Sequence, residues 1–402
     1  MNLILAIGII VVVGFFGGLA AGKIKFPRIT GYILIGILLS PSLLNIIPTE
    51  TVGRLDIITD IALGFIAYLI GGSLRWESIQ KLGRSIATIL PFQSLGAWFL
   101  VTIVLALLGH LILPNQAFWQ TYFPMAFIIG AISCATAPAA TMAIIKQYKA
   151  KGPLTTTLLA VVALDDAIAV IAFAIALGIS LPLVSGAGNI SLHQMVGVPF
   201  LHIAESAGIG IIFAFALAYI SRLVRARELL LVVVFGIIML CAGITSYLGV
   251  SSILANMIVG FIVVNKVKRR EMFLVVEEIE DVLFAMFFVL AGLHFDLSVL
   301  KTAGILALLI FVTRCLGKYF GARAGAKASH ASYAVQKYLG LALLPKAGVT
   351  VGLVLLAERA FPSFGTIMLN AVLASVIINE LTAPPLTRYA IFKAGEASVE
   401  TS

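Results

Sequence analysis

Runs of about twenty or more residues without a formally charged side chain recur from one end of the chain to the other, as in residues 2–21 and 86–112. A helix needs about 20 apolar residues to cross the hydrocarbon core of a bilayer, so these runs read as membrane spans. Composition agrees: 61% of the 402 residues are hydrophobic, 11% are charged and the mean hydropathy is +1.12. A soluble domain is about half apolar and a quarter charged. The expectation is an all-α polytopic membrane protein forming one integral membrane domain, with no soluble regulatory domain. The first run, Leu3 to Ala21, lacks a basic leader and reads as a retained span rather than a signal peptide.

Thirteen spans are expected, near 2–21, 29–47, 56–73, 86–112, 121–146, 153–180, 198–221, 228–245, 249–265, 281–294, 301–322, 337–357 and 364–386. Basic clusters follow every odd-numbered span: Lys23/Lys25/Arg28, Arg75/Lys81/Arg84, Lys146/Lys149/Lys151, Arg222/Arg225/Arg227, Lys266/Lys268/Arg269/Arg270 and Arg323/Lys327. The intervening loops, such as "LPNQAFWQTYF" and "LPLVSGAGNISLHQ", carry essentially none. The positive-inside rule then puts the N-terminus outside and the C-terminus in the cytoplasm. It also accounts for the net charge of +9 without a nucleic-acid partner. Cys134, Cys241 and Cys315 lie in apolar segments, where an odd set reads as small hydrophobes rather than a disulfide framework.

An internal repeat supports the count. "GYILIGILL" (31–39) is similar to "NMIVGFIVV" (256–264), aligned on Gly36 and Gly260, and "LIGGSLRWESIQK" (69–81) to "VLAGLHFDLSVLK" (289–301). The near-constant offset pairs spans 2–3 with spans 9–10. A shift of seven spans reverses each helix, so the halves form an inverted repeat, as transporters with alternating access do.

The sixth span carries "VVALDDAIAV", with Asp165 and Asp166 about twelve residues from its start and near mid-membrane. One acidic residue there costs roughly 2.5–3.5 kcal/mol on insertion scales, so a pair points to function. Two adjacent carboxylates in low dielectric repel: either one holds a proton or a cation neutralises them. Opposite charges occur as well. Arg314 lies about thirteen residues into span 11 ("FVTRCLGKYFGA"), a permanent counter-charge, while Lys318, one turn on, is expected to snorkel to the interface. Lys346, beside Pro345, sits mid-span in "LLPKAGVTVG" and could titrate.

Two spans look interrupted: span 5 at Pro138 in "SCATAPAATMA", and span 12 at Pro345, Gly348 and Gly352. They correspond under the same shift of seven, and paired breaks mark a transporter's binding site. If both unwind and cross, their carbonyls can ligate a hard cation, with Lys346 and the carboxylates offsetting the facing dipoles. Glu380, in "NELTAPPLTRY", lies toward the cytoplasmic end of span 13 and reads first as an interfacial or paired glutamate, with the lining of an entry funnel as the second reading. His202 and Glu205 are placed at the interface. Glu277, Glu278, Glu280 and Asp281 read as local charge balance, and His294 and His330 as interfacial histidines, a kind that seldom senses pH although its pKa would allow it.

With "GYILIGILLSPSLL", "ATAPAAT", "LDDAIAV", "FFVLAGLHFDL", "TRCLGK" and "LLPKAGVTVGL" in place, the chain resembles the monovalent cation:proton antiporter superfamily, specifically the cation:proton antiporter-2 family of sodium/hydrogen exchangers, over essentially its whole length. The resemblance implies a homodimer in a prokaryotic cell (inner) membrane, with a dimerisation part near 1–75 and 225–297, a core transport part near 84–182 and 299–390, a linker helix near 197–223, and elevator-type movement of the core. By position, Asp166 matches the aspartate on which cation and protons compete. Asp165 matches its neighbour, paired with a basic residue on span 11, and Thr136 lies in the unwound crossover; these three would hold Na+. Members with two aspartates commonly carry lysine at the position of Arg314 and exchange two protons per sodium. Arginine is usual in electroneutral members, many with asparagine in place of Asp165. This chain mixes the patterns. Arg314 cannot yield its proton, so the resemblance leaves stoichiometry open and leans to electroneutral exchange.

The expected function is secondary antiport of Na+ or Li+ against H+, with no cofactor. K+/H+ exchange is the alternative within transport, and a channel or a non-transporting membrane protein with structural charges the alternative outside it. No metal set or nucleophile–base pair supports an enzyme.

Overall fold

The computed structural model of the chain describes all residues except 24–27, 78–82, 138–140, 142–143, 146–147, 186–197, 225, 268, 270, 347–348 and 398–402. Pro138 and Gly348, the basic residues Lys25, Lys81, Lys146, Arg225, Lys268 and Arg270, and most of the loop after span 6 therefore lie outside the described residues.

The described residues form fourteen α-helices and no strand: α1 (Leu3–Lys23), α2 (Arg28–Leu39), α3 (Thr49–Ser73), α4 (Arg84–Ile112), α5 (Phe123–Ile132), α6 (Pro153–Val184), α7 (Val198–Leu223), α8 (Arg227–Tyr247), α9 (Ser252–Ile262), α10 (Glu271–Leu293), α11 (Leu300–Ala328), α12 (Tyr333–Ala342), α13 (Val349–Ala360) and α14 (Gly365–Lys393). Eight of them (α1, α3, α4, α6, α7, α8, α11 and α14) are long and apolar enough to cross a membrane. Phe15, Ile57, Leu107, Phe215, Val232 and Phe320 are each more than half exposed. Apolar surface on this scale is stable only against lipid, and the chain is an integral multi-pass membrane protein.

The chain divides into two compact units. The first comprises Met1–Gln80 and Ser191–Phe295, hence α1–α3 and α7–α10. Within it α7, set apart as a linker by the sequence reading, packs on α8 and α9. The repeat detected in the sequence reappears as packing. A Cβ on Gly36 of α2 would come within 2.1 Å of Val289 O and 2.7 Å of Gly292 Cα on α10. A Cβ on Gly260 of α9 would come within 2.0 Å of Tyr68 O and 2.9 Å of Gly72 N on α3. The offsets that align the two copies carry Gly36 onto Gly260 and Gly72 onto Gly292. Each copy thus uses its small residue for the same close backbone approach.

Boundaries shift by several residues at a number of spans, most at the tenth, which was expected to start at residue 281, yet α10 begins at Glu271. Met272, Val275, Val276 and Leu283 are buried while Glu277, Glu278 and Asp281 are exposed, a helical spacing that carries the acidic cluster on the outer face. Glu278 pairs with Arg227, and Glu277 and Glu280 line a cavity of about 470 Å³ with Arg75 and Arg269. His294 Nε2 lies 3.0 Å from Asp56 Oδ1.

The second unit comprises Lys81–Ile190 and Asp296–Ser402, hence α4–α6 and α11–α14. Its closest helix pair is α4 with α11: a Cβ on Gly317 would lie 2.5 Å from Gly96 O, and one on Gly321 2.4 Å from Phe92 O. Backbones this near leave no room for side chains at the crossing and bring Gln93 and Ser94 of α4 beside Lys318 of α11.

Spans 5 and 12 are each broken, as expected. After α5 the residues 133–137 are non-helical, and after α12 so are 343–346, with α13 continuing beyond. The two unwound segments cross: Ala137 N donates to Pro345 O at 2.8 Å. At the start of α6, Gly152 offers no capping side chain. Glu396, 242 residues beyond Leu154, supplies the cap, accepting at 2.7 Å from Leu154 N, Thr155 N and Thr155 Oγ1. A carboxylate at a helix N-terminus meets both the orphan amides and the positive end of the dipole.

Candidate functional site

Both aspartates of α6 are buried inside the second unit, but in opposite circumstances. Asp165 Oδ1 accepts from Gln93 Nε2 at 2.5 Å and Ser94 Oγ at 3.1 Å. Its Oδ2 accepts from Thr136 Oγ1 at 2.5 Å and Lys318 Nζ at 2.6 Å. Four donors, one of them charged, saturate that carboxylate and offset the desolvation of its charge. Asp166, the next residue, is 8% exposed and makes no hydrogen bond or ion pair among the described residues. A buried carboxyl without a partner is unstable as a bare anion and needs a proton or a cation.

The basic residues of α11 divide the work differently from expectation. Arg314 was expected to be the counter-charge of Asp165; instead its Nε donates to Ser133 O at 3.0 Å, its Nη2 to Ala135 O at 2.6 Å and its Nη1 to Leu344 O at 2.7 Å. A planar fork of donors suits three carbonyls left orphaned where α5 and α12 end, and a cation suits the negative ends of two helix dipoles. Lys318 was expected to reach the interface, yet it is fully buried. Its ammonium finds three acceptors, Cys134 O, Thr136 Oγ1 at 2.9 Å and Asp165 Oδ2, one for each proton. The tight α4–α11 crossing holds it there.

Six of the described crossover carbonyls are consequently already engaged. Those of Ser133, Cys134, Ala135, Leu344 and Pro345 accept from Arg314, Lys318 and Ala137, and Leu343 O lies 3.2 Å from Thr136 Oγ1. The expectation that they stand open for a cation is corrected for these: Arg314 and Lys318 take those of Ser133, Cys134, Ala135 and Leu344, and those of Leu343 and Pro345 face Thr136 and Ala137. Pro345 contributes its carbonyl to the crossing. Lys346, fully buried, lies 3.5 Å from Ser375 Oγ, the limit of hydrogen bonding. Glu380 is 1% exposed, enclosed within the unit rather than lining an open funnel.

Of the weaker candidates, His202 and Glu205 are exposed on α7, and His330 is exposed in the turn after α11 with φ 55°. Cys134, Cys241 and Cys315 are free thiols. The residues sequence reasoning missed are Gln93 and Ser94, and it misplaced Lys318. The signal for the first two was a polar pair in the uncharged run "PFQSLGAW". For Lys318 the signal was its spacing of four from Arg314, which puts both on one helix face.

Comparisons with known proteins agree over the whole chain. A family profile described as sodium/hydrogen exchanger, transmembrane, matches residues 7–389. The chain is 26% identical over 404 residues to the Na+/H+ antiporter NhaS4 of Synechocystis sp., covering 96% of each. It is 21% identical to the ammonium/H+ antiporter subunit AmhT of Alkalihalophilus pseudofirmus, covering 98% of this chain and 96% of that one. Among solved structures, that of the sodium proton antiporter MjNhaP1 from Methanocaldococcus jannaschii superposes with a TM-score of 0.78 over 98% of each chain, at 18% identity, which speaks to fold.

Proposed function

The chain belongs to the sodium/hydrogen exchanger family, and from that premise we propose that it exchanges Na+ (or Li+) for H+ with Asp166 as the side chain on which cation and proton alternate. One observation carries this reading: of two adjacent buried aspartates, Asp165 is held by four donors while Asp166 has none among the described residues. A carboxylate that must lose and regain a proton cannot be committed to a permanent partner; a carboxylate that fixes the geometry must be.

The cycle follows from charge balance. With Asp166 protonated, the two aspartates and Lys318 together carry no net charge. Sodium displaces the proton of Asp166, and oxygen ligands suit that hard cation. Lys318, unlike an arginine, can also release a proton, which would free Asp165 to join the cation. Two protons then leave for one sodium, and one net charge moves per turnover. This replaces the electroneutral leaning, whose premise was Arg314 at the position Lys318 fills. Arg314 and Lys346 act as supporting charges at the crossover. The unit of residues 81–190 and 296–402 would carry the site in elevator fashion, the chain acting as a homodimer.

The relatives name sodium and, in one case, ammonium as the exchanged cation. Exchange in proteoliposomes, with Na+, Li+, K+ and NH4+ tested at imposed membrane potentials, examines ion choice and charge balance together. Proton flux obligatorily coupled to Na+ or Li+ is expected. Current without counter-movement of protons would indicate a channel and overturn the reading.

A further inference from the structure

Glu380 sits in the middle of α14, fifteen residues from Gly365 and thirteen from Lys393. It is 1% exposed, and neither carboxyl oxygen has a hydrogen-bond partner among the described residues. The neighbouring Asn379 is fully buried, and its side-chain amide is likewise unpartnered at both atoms. The ladder also fails just beyond: Pro384 and Pro385 lie inside the helix and have no N–H for the carbonyls of Glu380 and Leu381. So many unsatisfied polar groups in one helical turn are unusual for a native interior.

Among the described residues no hydrogen bond reaches the carboxyl, and the buried cation that touches α14, Lys346, stands 3.5 Å from Ser375 Oγ, more than a helical turn before Glu380. Of the helices packed on α14, α5 carries no ionisable side chain. On α11, Arg314 and Lys318 bind the crossover and Asp165, while Arg323 and Lys327 are exposed. On α12, Lys337 is exposed over the rings of Tyr333 and Tyr338. On α13, Glu358 is half-buried and Arg359 exposed, each with interactions of its own. On α14 itself, Arg388 and Lys393 are exposed and lie over aromatic rings.

A carboxylate shut in apolar surroundings without a cation or donor is far costlier than a carboxylic acid there. We infer that Glu380 is a second proton-binding carboxyl of this unit, separate from the Asp165–Asp166 pair, and that exchange proceeds only while it keeps its proton. The inference rests on the antiport reading for its link to exchange, but not for the proton itself. When alkaline conditions strip the proton, an uncompensated charge appears inside the packed helices and the unit leaves its active form. Glu380 thereby sets an upper pH limit that Asp166 does not.

Two measurements on the reconstituted full-length protein test this. Infrared spectra across a pH titration should show a protonated-carboxyl band that Glu380→Gln lacks and Asp166→Asn retains. Sodium-driven exchange by Glu380→Gln, which is permanently neutral, should match the parent at lower pH and keep its alkaline limb about one pH unit or more further up. Glu380→Asp should keep both band and limit. An Asp166→Asn protein without any protonated-carboxyl band overturns the inference even if the glutamine variant does not fold. So does a Glu380→Gln alkaline limb that coincides with the parent's. Normal exchange by Asp166→Asn would instead sink the antiport site and leave the band test standing.

Discussion

Lys318 Nζ and Asp165 Oδ2 stand 2.6 Å apart with neither side chain exposed. The ammonium's other protons go to Cys134 O and Thr136 Oγ1, so the pair is built into the crossover rather than laid over it. Breaking a buried pair by removing one partner typically costs about 3–5 kcal/mol, because the survivor is left charged in low dielectric. A lysine in that position can release the strain by losing its proton; an arginine cannot.

This gives the first prediction. Lys318→Arg should preserve a cation beside Asp165 but withhold the second proton, so exchange by the variant should lose its dependence on membrane potential. The parent should be driven by it. The check is the sodium flux at several imposed potentials, and identical dependence in both proteins would contradict the assigned role.

Arg314 serves structure. Its three contacts satisfy carbonyls at both broken helices, and each buried group left unmet costs about 1–3 kcal/mol. Arg314→Ala should therefore destabilise the protein by about 3–5 kcal/mol and lower its yield more than its exchange rate per folded molecule. Thermal melts in detergent report this; a melt like the parent's would refute it.

Glu396 holds the N-terminus of the helix that bears both aspartates. Glu396→Ala removes three acceptor contacts of 2.7 Å and should cost about 1–2 kcal/mol, the usual worth of a cap with its dipole contribution. Glu396→Gln should fall between the alanine variant and the parent. Hydrogen exchange at the amides of Leu154 and Thr155 should accelerate in the same order, and unchanged protection would count against the clasp.

Gly317 permits the approach that seats Lys318. With a Cβ 2.5 Å from Gly96 O, Gly317→Leu should separate α4 from α11 and pull Gln93 and Ser94 off Asp165. Loss of sodium-dependent exchange together with a lowered melt is expected. Parent-like exchange would show the close approach to be dispensable.

How much of this was legible in the sequence depends on the physics involved. The membrane class, the broken spans and the aspartate pair were readable because hydrocarbon excludes charge and unbonded backbone, and so marks exceptions plainly. The glycine repeat was readable for the same reason: small residues recur where backbones must touch. The partner of Asp165 was not, because Arg314 and Lys318 share one face of α11 and only the depth of the α4 contact decides which ammonium or guanidinium meets the carboxylate. Glu396 was invisible, since a helix cap supplied from 242 residues away leaves no local signal. The half-helices' carbonyls looked available for a cation because no sequence rule says that Arg314 would fill them.

The claim everything else depends on is that one carboxyl, Asp166, takes sodium and proton in turn. The most direct measurement is proton release by the purified protein when sodium is added at fixed pH, parent against Asp166→Asn. The parent should release protons in proportion to sodium bound, and the asparagine variant, still folded, should neither bind sodium nor release them; sodium-dependent release of parental size from Asp166→Asn would contradict the account.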